Sequence, residues 1–305
     1  MTIYHEPVLL KESVDFLITD PKGTYVDATF GGGGHTREIL SRLEPEGRVY
    51  AFDVDINSQR IAEDLSASDR RLLFFRSNFS SIGSLREKHE GESFNGFLFD
   101  LGVSSYQLDN EEGFSYRRDE KLDMRLDKRL KTSAHEVVNS YSQDDLADVF
   151  FRYGEEPRSR SLARAIVRAR ETREIETTVQ LAEIVSRVLG GAVKPLSRIF
   201  QALRIEVNGE IEVLSKGLDS AVDTVTKGGR VAVISYHSLE DRVVKEKFRY
   251  EAASCVCPPE AIICTCGKKA RVRILTRKPV SPGEDAVKSN RRARSAKLRV
   301  AEKIS

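Results

Sequence analysis

Four consecutive glycines, Gly31 to Gly34, follow an apolar run rich in β-forming residues and precede a segment that can form a helix. A glycine loop between a strand and a helix is typical of a site that binds a ligand through backbone N–H groups. The dinucleotide fingerprint requires a third glycine three residues beyond a Gly-x-Gly pair, where this chain has Thr36 or Arg37. The loop therefore argues against NAD or FAD, and so against hydride transfer.

Three aspartates lie at the ends of predicted strands. Asp27 precedes the glycine loop, Asp53 follows 22 residues after Gly31, and Asp100 ends the fourth strand. A carboxylate at Asp53 can hold both hydroxyls of a ribose, and Asp27 would favour a cationic amino-acid group over a pyrophosphate. Ribose, ammonium and sulfonium together describe S-adenosylmethionine, which the sequence thus predicts as the cofactor. Helix capping explains one such aspartate equally well, but not all three beside a glycine loop.

The predicted elements alternate between strand and helix over the first hundred residues. The strands cover 24–30, 48–53, 72–76 and 95–100, and the helices cover 37–43, 56–65 and, weakly, 79–89. Continuously apolar strands that alternate with helices are typical of a parallel sheet covered on both faces. The sequence therefore predicts an α/β fold for this part of the chain.

The pattern then changes to helices. Apolar residues recur at helical spacing from 142 to 225, with Ser142 as a predicted cap and with Pro157 and Pro195 between helices. The strand pattern returns over 229–235, and 271–276 and 296–300 can add two edge strands. We therefore expect an α/β domain formed by residues 1–107 and 216–305, interrupted after its fourth strand by a helical insertion domain over 108–215.

Charge is unevenly distributed along the chain. The net charge is +2, but residues 268–303 contain 13 Lys and Arg against 3 Asp and Glu, a local +10, so the rest carries −8 (2 − 10). This basic segment suggests a nucleic-acid partner, and a solvated surface is the alternative. No apolar run approaches the ~20 residues of a membrane helix, and the N-terminus lacks a signal-peptide pattern. We expect a soluble cytoplasmic protein with no membrane partner.

All four cysteines lie within 12 residues, at Cys255, Cys257, Cys264 and Cys266. This clustering excludes a disulfide framework across the fold and fits a reducing compartment. Four thiolates in so short a segment could hold one structural zinc ion tetrahedrally. Two Cys-x-Cys pairs are a weaker zinc signal than Cys-x-x-Cys pairs, so reduced surface thiols are the alternative.

The sequence is similar to the ribosomal RNA small subunit methyltransferase H family over nearly its whole length. Eight motifs in the family's order carry the resemblance: HEPVLL at 5–10, DATFGGGGH at 27–35, DLGVSS at 100–105, GFSYRRD at 113–119, LDMR at 122–125, QALRIEVN at 201–208, HSLEDR at 237–242 and RSAKLR at 294–299. The resemblance implies a class I (Rossmann-like) S-adenosylmethionine-dependent methyltransferase fold with a helical insertion after the fourth strand. It also implies N4-methylation of a cytosine in the decoding region of 16S rRNA. The chain departs from the family at Asn290-Arg291, where members commonly have Asn-Pro, which concerns a local turn.

The resemblance also implies cofactor contacts, from Gly33, Gly34, His35, Asp53, Phe79, Asp100 and Gln107. Transfer from a sulfonium needs no metal, and the cytosine amine must lie about 3 Å from the methyl carbon, in line with the sulfur. A group that accepts a hydrogen bond from the amine would help. The candidates are Ser104, Ser105, His237, a carbonyl near Gly102 and the 113–125 segment. His237 could instead precede a helix cap formed by Ser238 and Asp241.

A base in folded RNA must be splayed out and held by stacking and edge contacts. Phe114 and Tyr116, interleaved with Arg117 and Arg118, suit this role, and an ordered lid with aromatic packing is the alternative. The insertion also has a basic face that could hold RNA with the C-terminal segment, formed by Arg158, Arg160, Arg164, Arg168 and Arg170.

The expected partner is 16S rRNA or the small ribosomal subunit, and the sequence leaves a homodimer open. The competing interpretations are an amino-methyltransferase acting on DNA or another RNA, and an RNA-binding regulator without turnover. The strand-end acids argue against the regulator, because binding RNA alone does not require them.

Overall fold

A computed structural model describes residues 7–89, 91–103, 113–191, 193–258, 260–261 and 263–305. The chain divides into two compact units. The first comprises residues 1–102 and 211–305, and the second comprises residues 103–210. The domain borders expected from the sequence, after 107 and after 215, lie five residues later in each case (107 − 102 and 215 − 210).

Seven strands form the sheet of the first unit: β1 (Thr24–Asp27), β2 (Arg48–Asp53), β3 (Leu72–Arg76), β4 (Phe94–Asp100), β5 (Val225–Ser235), β6 (Val272–Ile274) and β7 (Lys297–Lys303). Their order across the sheet is β3-β2-β1-β4-β5-β7-β6. The first five strands in this order, β3, β2, β1, β4 and β5, are parallel to one another. Strand β7 is antiparallel to both of its neighbours, β5 and β6. The order reverses between β1 and β4, the place where a doubly wound sheet binds ligands at the carboxyl ends of its strands. The predicted α/β, Rossmann-like architecture is confirmed.

Twelve α-helices lie within the described residues. The first part of the chain contains α1 (Leu10–Leu17), α2 (Gly34–Arg42), α3 (Ile56–Ser68) and α4 (Gly83–Lys88). The insertion contains α5 (Ala134–Ser140), α6 (Gln143–Arg152), α7 (Ser159–Thr172), α8 (Thr178–Leu189) and α9 (Val193–Asn208). The last part contains α10 (Glu210–Thr224), α11 (Ser238–Ala252) and α12 (Glu284–Ser289), and two 3₁₀ turns cover Phe79–Ile82 and Arg291–Ser295. None of the helices in the described ranges is long and apolar enough to cross a membrane.

Both faces of the sheet are buried because its central strands are apolar at successive positions. Side chains alternate between the two faces of a strand. In β4, Phe97 and Phe99 accordingly lie in one core cluster, together with Leu218 of α10. Leu98, between them, lies in the other cluster, together with Ile39 of α2. A strand of this kind must be covered by helices on both sides.

The insertion has a core of its own. Its helices α6 to α9 each bury one apolar stripe, as the helical spacing predicts. Fully buried side chains at its centre include Phe150, Leu162, Ile166, Leu181 and Leu203. The core of the second unit is therefore formed entirely by its own residues.

Differences from the predicted elements have local causes. The strand expected over 24–30 ends at Asp27, because the regular hydrogen bonding stops there. The N–H of Ala28 donates to β4, whereas the N–H of Phe30, two residues on, donates to the opposite neighbour, β2. Helix α1 was not predicted, and β5 begins at 225 instead of 229. Pro195 does not separate helices but lies in the first turn of α9, where its missing N–H is not needed. The predicted cap is confirmed, since Ser142 Oγ accepts from the N–H of Asp145 at 3.1 Å.

Candidate active site

The loop between β1 and α2 depends on glycine for its shape. Gly31 and Gly33 have φ values of +52° and +74°, which residues with a Cβ rarely adopt. A Cβ on Gly33 would lie 2.7 Å from Cζ of the buried Phe30. Helix α2 begins at the next residue, Gly34, and no side chain in the described ranges caps it. The positive end of this helix therefore presents backbone N–H groups at the loop.

Asp53, the last residue of β2, is tied to this loop. One carboxylate oxygen accepts a hydrogen bond from the N–H of Gly31 at 2.7 Å, and the other accepts from the N–H of Asp55 at 3.0 Å. The side chain is half-buried, and burial raises the pKa of its carboxyl above the usual value. The structure thus places Asp53 beside the glycine loop, while its role on a ribose stays a prediction.

Asp27 is the last residue of β1. Its side chain is fully buried, and burial raises the pKa of the carboxyl. One oxygen accepts from Thr36 Oγ at 2.6 Å, and the other accepts from the N–H of Thr29 at 3.1 Å. The carboxyl therefore holds β1 to the first turn of α2. The side chain is therefore turned inward and does not contact solvent, and its expected preference for a cationic ligand stays a prediction.

Asp100 ends β4 at the point where the strand order reverses. Its N–H donates to Thr29 Oγ at 2.7 Å, and its Oδ1 accepts from the hydroxyl of Tyr236 at 2.8 Å. Its Oδ2 lies 3.5 Å from Nδ1 of His35, the second residue of α2. His35 is buried, whereas Asp100 keeps 22% of its side-chain surface exposed. The structure therefore brings the two predicted residues together around a partly open carboxylate.

The sequence reasoning missed Tyr236, which directly follows β5. Burial, and then the charge of Asp100, raise the pKa of its phenol, so the hydroxyl stays protonated and donates. Its position was the available signal. The residue after β5 lies at the same sheet edge as the residue after β4, because the two strands are parallel neighbours.

Phe79 lies three residues after the end of β3 and begins the 3₁₀ turn. Its ring meets that of Phe99 edge-to-face, with centroids 5.5 Å apart. A Cβ on Gly217 of α10 would lie 2.7 Å from Phe79 Cδ2, so glycine leaves room for the ring. The ring is held in place but stays half-buried, and such a ring can pack against a flat apolar group.

Three predicted site residues, Ser104, Ser105 and Gln107, lie outside the described residues. His237 caps α11: its Nδ1 accepts from the N–H of Glu240 at 3.4 Å, and its Nε2 lies 3.0 Å from Glu240 Oε1. The cap was therefore expected one residue too late, at Ser238. Its expected partner Asp241 is instead paired with Arg299 and Lys297.

The aromatic residues of the 113–119 segment are packed within the insertion. Phe114 is buried, and the ring of Tyr116 meets that of Phe200 edge-to-face at 5.4 Å. Arg118 pairs with Glu120 at 2.8 Å, whereas Arg117 is exposed. This packing corresponds to the alternative interpretation, an ordered segment, and it leaves the ring of Phe114 turned away from solvent.

The exposed basic face of α7 contains fewer of the five predicted arginines than expected. Arg158 donates to the carbonyl of Leu189, and Arg170 donates to the carbonyls of Val138 and Tyr141, so both hold the insertion together. The other three predicted arginines, Arg160, Arg164 and Arg168, have exposed side chains on this helix. Within the described residues these three form no ion pair. Because they are four residues apart, they lie along one side of the helix.

The four cysteines lie together between α11 and β6. Their sulfur atoms all lie within 4.8 Å of one another. The sulfur–sulfur distances are 3.4 Å for Cys255–Cys264, 3.6 Å for Cys264–Cys266, 3.8 Å for Cys255–Cys266 and 3.9 Å for Cys257–Cys264. A disulfide would need about 2.05 Å, whereas a tetrahedral site with Zn–S bonds of about 2.3 Å places its sulfurs about 3.8 Å apart. The thiols are reduced, and their spacing fits a single metal ion.

The sheet order, the glycine loop and the strand-end carboxylates define a class I, Rossmann-like methyltransferase. The chain matches the MraW methylase family over residues 2–304, and it belongs to this family.

Two relatives illustrate the similarity. The ribosomal RNA small subunit methyltransferase H of Caldicellulosiruptor bescii is 45% identical over 304 residues, which cover 98% of this chain and 99% of the relative. The protein of the same name from Thermomicrobium roseum is 46% identical over 308 residues, which cover 99% and 94%. The crystal structure of an rRNA methylase from Streptococcus thermophilus aligns with 97% of this chain and 94% of that chain, at 11% identity and a TM-score of 0.43. The resemblance expected from the sequence is confirmed.

Proposed function

We propose that the chain transfers the methyl group of S-adenosylmethionine to N4 of a cytosine in the decoding region of 16S rRNA. The observation that carries the proposal is the set of strand-end carboxylates beside a glycine loop. The relatives at 45% and 46% identity, aligned over 99% and 94% of their own length, are named as rRNA methyltransferases. The carboxylates are Asp53, tied to Gly31, and Asp100, held between His35 and Tyr236.

The donor would be held at this edge of the sheet. Asp53 would accept from the ribose hydroxyls, and the partly open carboxylate of Asp100 would attract the cationic part of the molecule. Gly34 and His35 would contribute N–H groups at the start of α2. Gly33, whose own N–H donates to the carbonyl of Phe30 at 2.7 Å, would contact the donor through its bare backbone. Phe79 would pack against a flat apolar surface, and Gln107 is the remaining proposed contact.

When bound, the donor supplies a methyl group that is already activated, so these residues need only orient it and the amine. The amine of cytosine is a poor nucleophile, and a hydrogen-bond acceptor on its N–H would assist. Ser104 and Ser105 are the retained candidates for this acceptor. His237 is a weaker one, because both of its ring nitrogens face Glu240.

RNA would be held by charge. Arg160, Arg164 and Arg168 form an exposed row on α7, and Arg117 is exposed in the 113–119 segment. Guanidinium groups of this kind bind phosphates and release counterions, so the affinity they provide falls as salt rises. The basic residues between 268 and 303 offer a second such surface.

We further propose that the four cysteines hold one structural zinc ion. The support is the separation of their sulfur atoms, which is 3.4 to 3.9 Å for the four pairs given above. Four thiolates leave no open coordination position, so the ion would have no direct part in the reaction.

The proposed reaction can be tested with small ribosomal subunits from cells that lack this protein. Purified protein and S-adenosylmethionine should add one methyl group to a decoding-region cytosine, located by mass mapping of rRNA fragments and assigned to N4 by nucleoside analysis. Naked 16S rRNA and duplex DNA serve as parallel substrates. Methylation of DNA alone, or no methylation of any substrate, would contradict the proposal.

Replacement of Asp53 by alanine should weaken donor binding. A hydrogen bond to a charged group contributes about 1.5–3 kcal/mol, so the Kd from calorimetry should rise about 10- to 100-fold. Asp64→Ala, which removes an exposed carboxylate from α3 of the same unit, is the matched control. Unchanged affinity in Asp53→Ala protein would refute the assignment.

The double variant Arg164→Glu, Arg168→Glu should raise the KM for the RNA substrate by about tenfold or more at low salt, with a smaller effect at high salt. The KM for the donor should not change. Arg187→Glu is the control, since it reverses an exposed charge on α8. If the double variant changes only the midpoint of unfolding, the row on α7 has no part in RNA binding.

Protein purified without chelators should contain about one zinc ion per chain by elemental analysis. Cys264→Ser should remove it and lower the thermal midpoint, because the segment between α11 and β6 loses its cross-link. Thr265→Ala, between two of the cysteines, should retain the metal. Metal-free wild-type protein would contradict the zinc proposal without affecting the methyl-transfer proposal.

A further inference from the structure

The hydroxyl of Tyr236 joins the ends of two neighbouring strands. Tyr236 follows β5 and Asp100 ends β4, 136 residues earlier in the chain, and the O–H to Oδ1 distance is 2.8 Å. This bond acts on one oxygen only. The second oxygen, Oδ2, faces Nδ1 of His35 at 3.5 Å. The two oxygens of Asp100 therefore have different surroundings, and the carboxylate plane is fixed from two sides.

Tyr236 is itself constrained both at its ring and at its backbone. Gly102 has a φ of +91°, and a Cβ at that position would lie only 3.3 Å from Cδ2 of the ring. The N–H of Tyr236 donates to Glu240 Oε2 at 2.9 Å, which ties the residue to the first turn of α11. Because backbone and ring are both constrained, the hydroxyl has a defined direction, towards Asp100.

The chemistry of the phenol suits a carboxylate that must attract a cation. A hydrogen bond from a neutral donor orients the carboxylate and favours its ionised form without cancelling its charge. Arginine or lysine at this place would form an ion pair and leave little charge for a ligand. A phenol that stays protonated therefore holds Asp100 in one orientation and keeps its full negative charge.

We propose that Tyr236 is a positioning residue for methyl transfer. It orients the carboxylate of Asp100 towards the cationic part of the donor. The inference rests on the proposed function, in which Asp100 contacts the donor.

The test uses the full-length chain with Tyr236→Phe, Asp100→Asn and the double variant, and calorimetry with S-adenosylmethionine. Phenylalanine keeps the ring against Gly102 and removes only the hydroxyl. We expect Tyr236→Phe to weaken donor binding about tenfold. In the Asp100→Asn background the same change should alter affinity less than twofold, because the group through which the hydroxyl acts is gone.

The pH dependence gives a readout that a loss of packing would not change. The hydroxyl stabilises the ionised carboxylate, so its removal raises the pKa of Asp100. When the pH is lowered from neutral, the donor affinity of Tyr236→Phe protein should therefore begin to fall at a higher pH than that of wild type.

The outcomes separate the two proposals. If Asp100→Asn leaves donor affinity unchanged, the role of Asp100 in the proposed function fails, and the positioning role fails with it. If Asp100→Asn weakens binding but Tyr236→Phe does not, only the positioning role is overturned. Equal losses from Tyr236→Phe in both backgrounds, with no shift along the pH axis, would likewise overturn it and leave the proposed function standing.

Discussion

Parallel pairing of strands that are buried on both faces is the constraint from which the site follows. Helices cover the two faces, so polar groups can meet only at an edge of the sheet. The carboxyl ends of β1, β2 and β4 coincide there, because Asp27 pairs in register with Ala51 of β2 and with Leu98 of β4. The helix that follows β1 must begin at the same edge. Carboxylates and the positive end of α2 therefore lie side by side, an arrangement that suits a ligand carrying charges of both signs.

Burial of carboxylates at this edge of the sheet lowers the free energy of unfolding. Burial raises the pKa values of Asp27 and Asp53, so the folded state disfavours their ionised forms at neutral pH more than the unfolded state does. Hydrogen bonds from the glycine loop and from Thr36 offset part of this cost. A cationic ligand at the same edge would lower these pKa values again and stabilise the folded chain, since ligands that bind only the native state favour it. A ligand of this kind would thus offset part of the cost of burying the carboxylates.

Sequence periodicity predicted the sheet well and the directions of side chains poorly. The bounds of β2 and β3 agree with the prediction because continuous apolar runs end there at charged residues. Spacing placed Asp53 beside the loop, but it could not show that Asp27 turns inward to Thr36. The sequence pattern around a strand-end carboxylate is identical whether the side chain points inward or towards solvent. Arg170 looked like part of a surface for the same reason, yet it bonds to two carbonyls. Tyr236 was missed because its partner is 136 residues away.

The cysteine segment is held at its base by contacts that do not involve the sulfur atoms. The chain between α11 and β6 is closed at its base by Glu251 and Arg271, through a backbone bond of 2.8 Å and a side-chain bond of 2.6 Å. Hydrogen bonds from Arg271 and Lys247 outweigh the effect of burial and lower the pKa of Glu251 to about 2, so this closure persists throughout the physiological pH range. The sulfurs close the same segment at its tip. Because the base does not depend on them, loss of the proposed metal would loosen the tip while β6 keeps its place beside β7.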